Sequence, residues 1–272
     1  MLKKPLELSL YVAGAGAFGV FLRWLQDQLA FNEAGLVDKS AFNVMVPVFV
    51  AVAALLFRHF LRNEERASCF IPEEFDLALA QERLIYRIAR VAIGVLMVLG
   101  SLLLIATTEL DKLVRMLRVL AVLGVITGVS FPVLLAQVGK ARRSNALLCI
   151  LSTVPVVFFA VWMLYVYRAN SINSVIWAYV LELCCTAMGM AAFYRVAGLC
   201  YGMVKGRRTR FDLMLGAVIF IMALADERYM ALQVMLLAAA LMMIYYNWVL
   251  TENLEKREKK KEPEPQDGFE RL

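Results

Sequence analysis

The segment Arg23-Trp24-Leu25-Gln26-Asp27-Gln28 places two opposite charges and two amides within six residues of an otherwise apolar stretch. Glu182 stands alone between Leu181 and Leu183 in a second apolar stretch, with Cys184, Cys185 and Thr186 after it. Ionisable groups in hydrocarbon are costly, so each is a candidate for function. Counted at 1.5 Å per residue from the outer ends of their stretches, Arg23 and Glu182 both lie about 10–13 Å deep. Equal depth and opposite sign make the two expected partners, with Asp27 one helical turn from Arg23 and competing for it. Arg23, Gln26, Asp27 and Glu182, with Gln233, form the candidate ligand-binding set. Two readings are open. The set either lines an outward-facing polar pocket for a solute or lipid headgroup, or forms a structural ion pair that locks two helices together.

Other chemistry is poorly provided for. Gly14-Ala15-Gly16-Ala17-Phe18-Gly19 fits the dinucleotide pattern G-x-G-x-x-G letter by letter. That pattern carries meaning only at a strand-to-helix turn of a soluble βαβ unit, and here an apolar run surrounds it. Gly16 and Gly19 instead predict a smooth helix face against which a second helix packs closely. His59 is the sole histidine, beside Arg58 and Arg62, so a two-histidine zinc site cannot be built. Walker A and G-x-S-x-G sequences are lacking, and the five cysteines have no metal-ligand spacing. The expectation is a chain without catalytic residues, metal or cofactor.

The elements that must position the polar set follow from composition. Of 272 residues, 61% are hydrophobic and 19% charged, with mean hydropathy +0.67. A soluble domain is about 45–50% apolar and about 25% charged. The excess falls in stretches near the ~20 residues needed to cross hydrocarbon. They predict an all-α integral membrane protein, a bundle of about eight transmembrane helices over 9–30, 42–62, 88–108, 116–138, 146–167, 174–197, 211–225 and 229–250. The seventh is short, ends in Asp226-Glu227-Arg228, and forms a tight hairpin with the eighth; the count is six or seven if the first or seventh stretch only dips into the membrane. Thr127, Ser130 and Pro132, then Ser152, Thr153 and Pro155, mark two spans for bending, with hydroxyls available to carbonyls that the prolines free.

Charge gives an independent estimate of orientation. With both termini cytoplasmic, 22 of the 29 basic residues fall in inner segments, six in outer ones, and Arg23 lies within a span. That bias is the positive-inside pattern. One short cytoplasmic helix is expected before the third span, opening at Pro72 with Leu77, Leu84, Ile85 and Ile88 on one side, and lying on the inner leaflet or simply extending the span. Residues 1–251 form the bundle, and 252–272 a charged, proline-broken tail expected to be disordered. The net charge of +6 is accounted for by inner loops facing anionic lipid, which argues against a nucleic-acid partner. Two functions from different classes remain. One is a non-enzymatic protein that binds or transports a small solute or lipid. The other is a non-catalytic subunit, sensor or scaffold, docking a cytoplasmic protein or lipid headgroups through Arg207, Arg208, Arg210 and the tail.

Overall fold

The computed structural model describes residues 3–31, 41–64, 69–81, 83–107, 114–138, 146–171, 179–226 and 228–256. Nearly all of them are helical. The long helices are α1 (Lys3–Leu29), α2 (Met45–Asn63), α4 (Leu84–Thr107), α5 (Val114–Val138), α6 (Ala146–Ala169), α7 (Val180–Cys200), α8 (Gly206–Met222) and α9 (Met230–Glu252). Seven of these are long and apolar enough to cross a membrane, and α8 is the exception. The chain is an all-α, multi-pass membrane protein. Pro5 and Pro47 sit in the first turns of α1 and α2, where a missing backbone N–H removes no intrahelical bond.

α8 and α9 form the centre. α8 packs against α1, α2, α7 and α9, and α9 against α1, α4 and α8. Every residue from Leu213 to Phe220 is buried, the pattern of a helix enclosed by others rather than one facing lipid. A helix so enclosed has its polar groups met by protein, so its first turns can carry Thr209, Arg210 and Asp212. An aromatic layer fills the middle of the bundle. Phe158, Phe159 and Trp162 of α6 interlock with Phe193 of α7, Phe220 of α8 and Tyr246 of α9.

Glycines set the close crossings. A methyl at Gly16 would come within 2.8 Å of Ile221 side-chain carbons, and one at Gly19 within 3.0 Å of Phe49. The Gly16/Gly19 face of α1 therefore lies against the end of α8 and against α2, whereas Gly14 faces open space. Between α4 and α5 the approach is closer still: a methyl at Gly94 would sit 2.5 Å from the carbonyl oxygen of Gly128 and 3.0 Å from Pro132 Cδ. Gly128 is four residues before Pro132, so its carbonyl lacks the usual intrahelical donor, and α4 covers it. Three of the four hydroxyls expected to serve freed carbonyls bond elsewhere, Ser130 to the Thr127 carbonyl and Ser152 and Thr153 both to that of Cys149, and the Thr127 hydroxyl is buried without a partner.

One end of the bundle is closed by short elements. The strand β1 (Cys69–Phe70) pairs antiparallel with β2 (Glu255–Lys256), and Asn253 donates to the carbonyls of Ala78 and Ala80. Residues 253–256, assigned from the sequence to a free tail, are thus held against the α2–α4 connection, while 257–272 lie outside the described residues. The amphipathic helix expected from Pro72 onward is only one turn, α3 (Phe75–Ala78). Leu79 and Ala78 are buried instead of extending a surface helix, and α4 begins afresh at Leu84. Tyr86 donates to Glu252, and Trp248 donates to the Tyr86 hydroxyl at 3.0 Å. Arg210 of α8 makes a buried double contact with Glu64 beyond α2. Lys4 and Glu252, near the two ends of the described chain, therefore lie at the same end of the bundle.

Candidate functional site

At the opposite end, four charges from three parts of the chain meet. Arg23 is near the end of α1, Glu182 is the third residue of α7, and Asp226 and Arg228 stand in the turn joining α8 to α9. Arg23 Nε donates to Asp226 Oδ1 at 2.7 Å, and Arg228 Nη2 donates to Asp226 Oδ2 at 2.7 Å. Arg228 Nη1 donates to Glu182 Oε2. Glu182 Oε1 accepts the indole N–H of Trp162 at 2.8 Å. The result is a chain Arg23–Asp226–Arg228–Glu182–Trp162 that alternates in sign, sums to zero charge and is almost wholly buried. Desolvation is the term it must overcome. Burial raises the Asp226 carboxyl, with Arg23 pulling it back down; burial, and then the like charge of Arg23, lower Arg228. The opposite charges in contact offset part of that desolvation cost.

The remaining sequence-predicted residues surround this chain. Gln26 accepts from Arg23 Nη1 at 2.7 Å and donates to the Asn43 side chain and carbonyl, both at 3.1 Å, tying α1 to the entry of α2. Asp27 flanks Arg23 at 3.4 Å on the more exposed side. Gln233 donates to the Asp226 carbonyl at 3.3 Å, fixing the turn from the first helical turns of α9. All five residues therefore gather at one end. The direct Arg23–Glu182 pair expected from equal depth is replaced by a relay through Asp226 and Arg228. The depth count also shifts, because α7 begins at Val180 rather than 174. Glu182 then lies in the first helical turn, where the helix dipole favours its negative charge.

Three residues of the network escaped the sequence reading. Asp226 and Arg228 look like solvated turn residues, and Trp162 looks like one of many apolar side chains. Their signal was positional: opposite charges bounding a tight hairpin, at the same end of the bundle as Arg23. At the other end, Arg207 and Arg208 are exposed, but Arg210 is buried on Glu64 and is unavailable to a docking partner or lipid headgroup. The span's apolar periodicity could not reveal this, because Glu64 is 146 residues away.

Beside the charged chain opens a cleft of about 540 Å³, between the end of α6 and the starts of α7 and α9. Tyr165, Ala169 and Asn170 line it from α6, and Tyr179 and Glu182 from α7. Arg228, Tyr229 and Leu232 complete the wall. Its volume falls within the range of small-ligand sites, about 300–1,000 Å³. The floor is the Glu182–Arg228 pair, and three tyrosines stand among the walls. Such a lining suits a small amphiphile with a charged or strongly polar head. Among the described residues no cluster of histidine, cysteine and carboxylate side chains could hold a metal ion. The chain matches no protein-family model, no curated protein and no solved structure.

Proposed function

We propose that this chain is an eight-span membrane protein with both termini in the cytoplasm, which binds a small polar solute or lipid headgroup in a cleft open to the outside. The observation that carries the reading is the cleft reaching Glu182 and Arg228, since a scaffold has no need of a cavity ending on buried charge. The orientation rests on the basic residues. Lys4, Arg58, Arg62, Arg83, Arg87 and Arg207 belong to the end closed by β1 and β2, and the positive-inside tendency supports reading that end as the cytoplasmic one. α8 counts as the seventh span despite its 17 residues. At 1.5 Å each it is only about 25 Å long, but its surroundings are protein and need not match the lipid thickness.

The test is occupancy. Full-length protein extracted gently from native membranes is analysed by native mass spectrometry, beside Ala169→Trp, which fills the cleft from the end of α6 and leaves all four charged residues in place. A bound small molecule or lipid in the wild type that is lost in Ala169→Trp supports the reading. No bound species, together with a stoichiometric protein partner that is lost when 257–272 are deleted, overturns it in favour of a docking subunit.

A further inference from the structure

The electrostatics of the cleft say more than that something polar binds there. Two helices begin at it. α7 starts behind Tyr179 and α9 behind Tyr229, and neither of these N-cap residues caps its helix with its side chain. Helix starts carry partial positive charge and orphan N–H groups that suit an anion. One helix ends at it. Ala169 and Asn170 bring the C-terminus of α6 to the cleft, where the dipole is negative and suits a cation.

The side chains supply both signs as well, Arg228 beside the start of α9 and Glu182 in the first turn of α7. Arg228 stands on the α9 side, its side chain only 9% exposed, and its Nε is buried without an acceptor. Glu182 faces it with the opposite charge. Tyr165 and Tyr229 add aromatic surface of the kind that attracts ammonium groups.

Charge balance then selects the ligand. Arg23, Asp226, Arg228 and Glu182 are neutral as a set in a poorly solvated place, and Asp27, which also contacts Arg23, has its side chain 35% exposed and balanced by solvent. A lone anion or a lone cation entering the cleft would leave one uncompensated charge there. A ligand with both charges would not. Its ammonium can take over Glu182 while its acid group takes over Arg228, so that one internal ion pair is exchanged for two with the ligand.

We propose that the cleft is a zwitterion site, taking a small molecule or headgroup that carries an ammonium and an acid group a few bonds apart, with an apolar part lying against Leu232 and the tyrosines. Free amino acids and phosphoethanolamine headgroups share this chemistry. The inference rests on the cleft being a ligand site at all, so its test must separate the two failures.

Purified full-length protein is titrated with L-leucine, glycerophosphoethanolamine, isopentylamine and isovalerate, with binding read by calorimetry and thermal shift. A parallel arm reconstitutes it in nanodiscs of phosphatidylethanolamine or phosphatidylglycerol and scores retained lipid by native mass spectrometry. The expected result is that a zwitterion binds at least tenfold more tightly than either singly charged analogue, and that Ala169→Trp abolishes this. Binding of L-leucine marks a free solute as the source, and selective retention of phosphatidylethanolamine marks a lipid. Glu182→Gln and Arg228→Met should each lose the zwitterion preference. Should they fail to fold, Ala169→Trp with the four-ligand comparison still decides the matter. If isopentylamine or isovalerate binds as well as leucine, or the two lipids are retained equally, the zwitterion inference is wrong while the cleft remains a ligand site. If no probe or lipid binds, both readings fall.

Discussion

Asp226→Asn removes the one carboxylate that both buried arginines share. In the wild type its two oxygens take Arg23 Nε and Arg228 Nη2, each at 2.7 Å, and its side chain is 6% exposed. Asparagine retains one acceptor but turns an N–H donor toward the second guanidinium. Two cations then face a single buried anion, Glu182, because Asp27 lies on the wetter side of Arg23. Removing one member of a buried pair costs about 3–5 kcal/mol, and the upper part of that range is expected where one group serves two partners. Glu182→Gln should cost less, since Arg228 keeps Asp226. Pairing Asp226→Asn with Arg23→Met removes the stranded cation and should recover about 1–3 kcal/mol, the coupling expected of residues in contact. Tryptophan fluorescence followed through dodecylmaltoside–dodecylsulfate unfolding provides the measurement. A cost below about 1 kcal/mol for Asp226→Asn, comparable to an exposed pair, would refute the relay. So would additive losses in the double variant.

Gly94→Val should destabilise the α4–α5 pair by about 2 kcal/mol or more, because overpacking a close contact costs about 1–3 kcal/mol and the obstacle is backbone. Gly14→Ala, facing open space, should be neutral in the same unfolding assay. Glu64→Gln should strand Arg210 and lower the melting temperature clearly, while Lys4→Ala, from the half-exposed partner of Glu64, should change stability by at most about 1 kcal/mol. Finally, cysteines introduced in turn at Ser171 and Arg208 should react with an impermeant thiol reagent from opposite sides of the membrane. Ser171 should label from outside and Arg208 only after the cytoplasmic face is opened, whereas labelling from one side would disprove the proposed topology.

The helices were legible in the sequence because apolar runs of spanning length leave few alternatives, and each of the eight expected stretches overlaps a helix, seven of them long and apolar enough to cross a membrane. The α1 face at Gly16 and Gly19 was equally legible, since small residues at this spacing serve one purpose in a span. Arg23, Gln26 and Glu182 could be marked because a polar side chain in an apolar run is conspicuous. Asp226 and Arg228 could not, as a charged turn between two spans looks the same whether it faces water or folds back over the bundle. Arg210 misled for the same reason: its neighbours Arg207 and Arg208 are exposed, and only tertiary packing turns it inward. The one-turn α3 shows the limit of amphipathic patterning. Leu77, Leu84, Ile85 and Ile88 do share exposure, but the chain buries Ala78 and Leu79 and breaks the helix between them and α4.

The Arg23–Asp226 contact joins residues 203 apart in sequence, and this gives the protein's assembly a clock. Synthesis proceeds at about 5–20 residues per second, so Arg23 is made roughly 10–40 s before its carboxylate partner exists. During that interval α1 has to enter or approach the bilayer with a guanidinium near one end. Asp27, one turn away and already present, is the partner available at once. Its place at the exposed edge of the finished network then has a developmental meaning, as an interim counter-ion displaced from first rank when the last hairpin arrives. Removing Asp27 would accordingly weigh more on the yield of inserted protein than on the stability of molecules already folded.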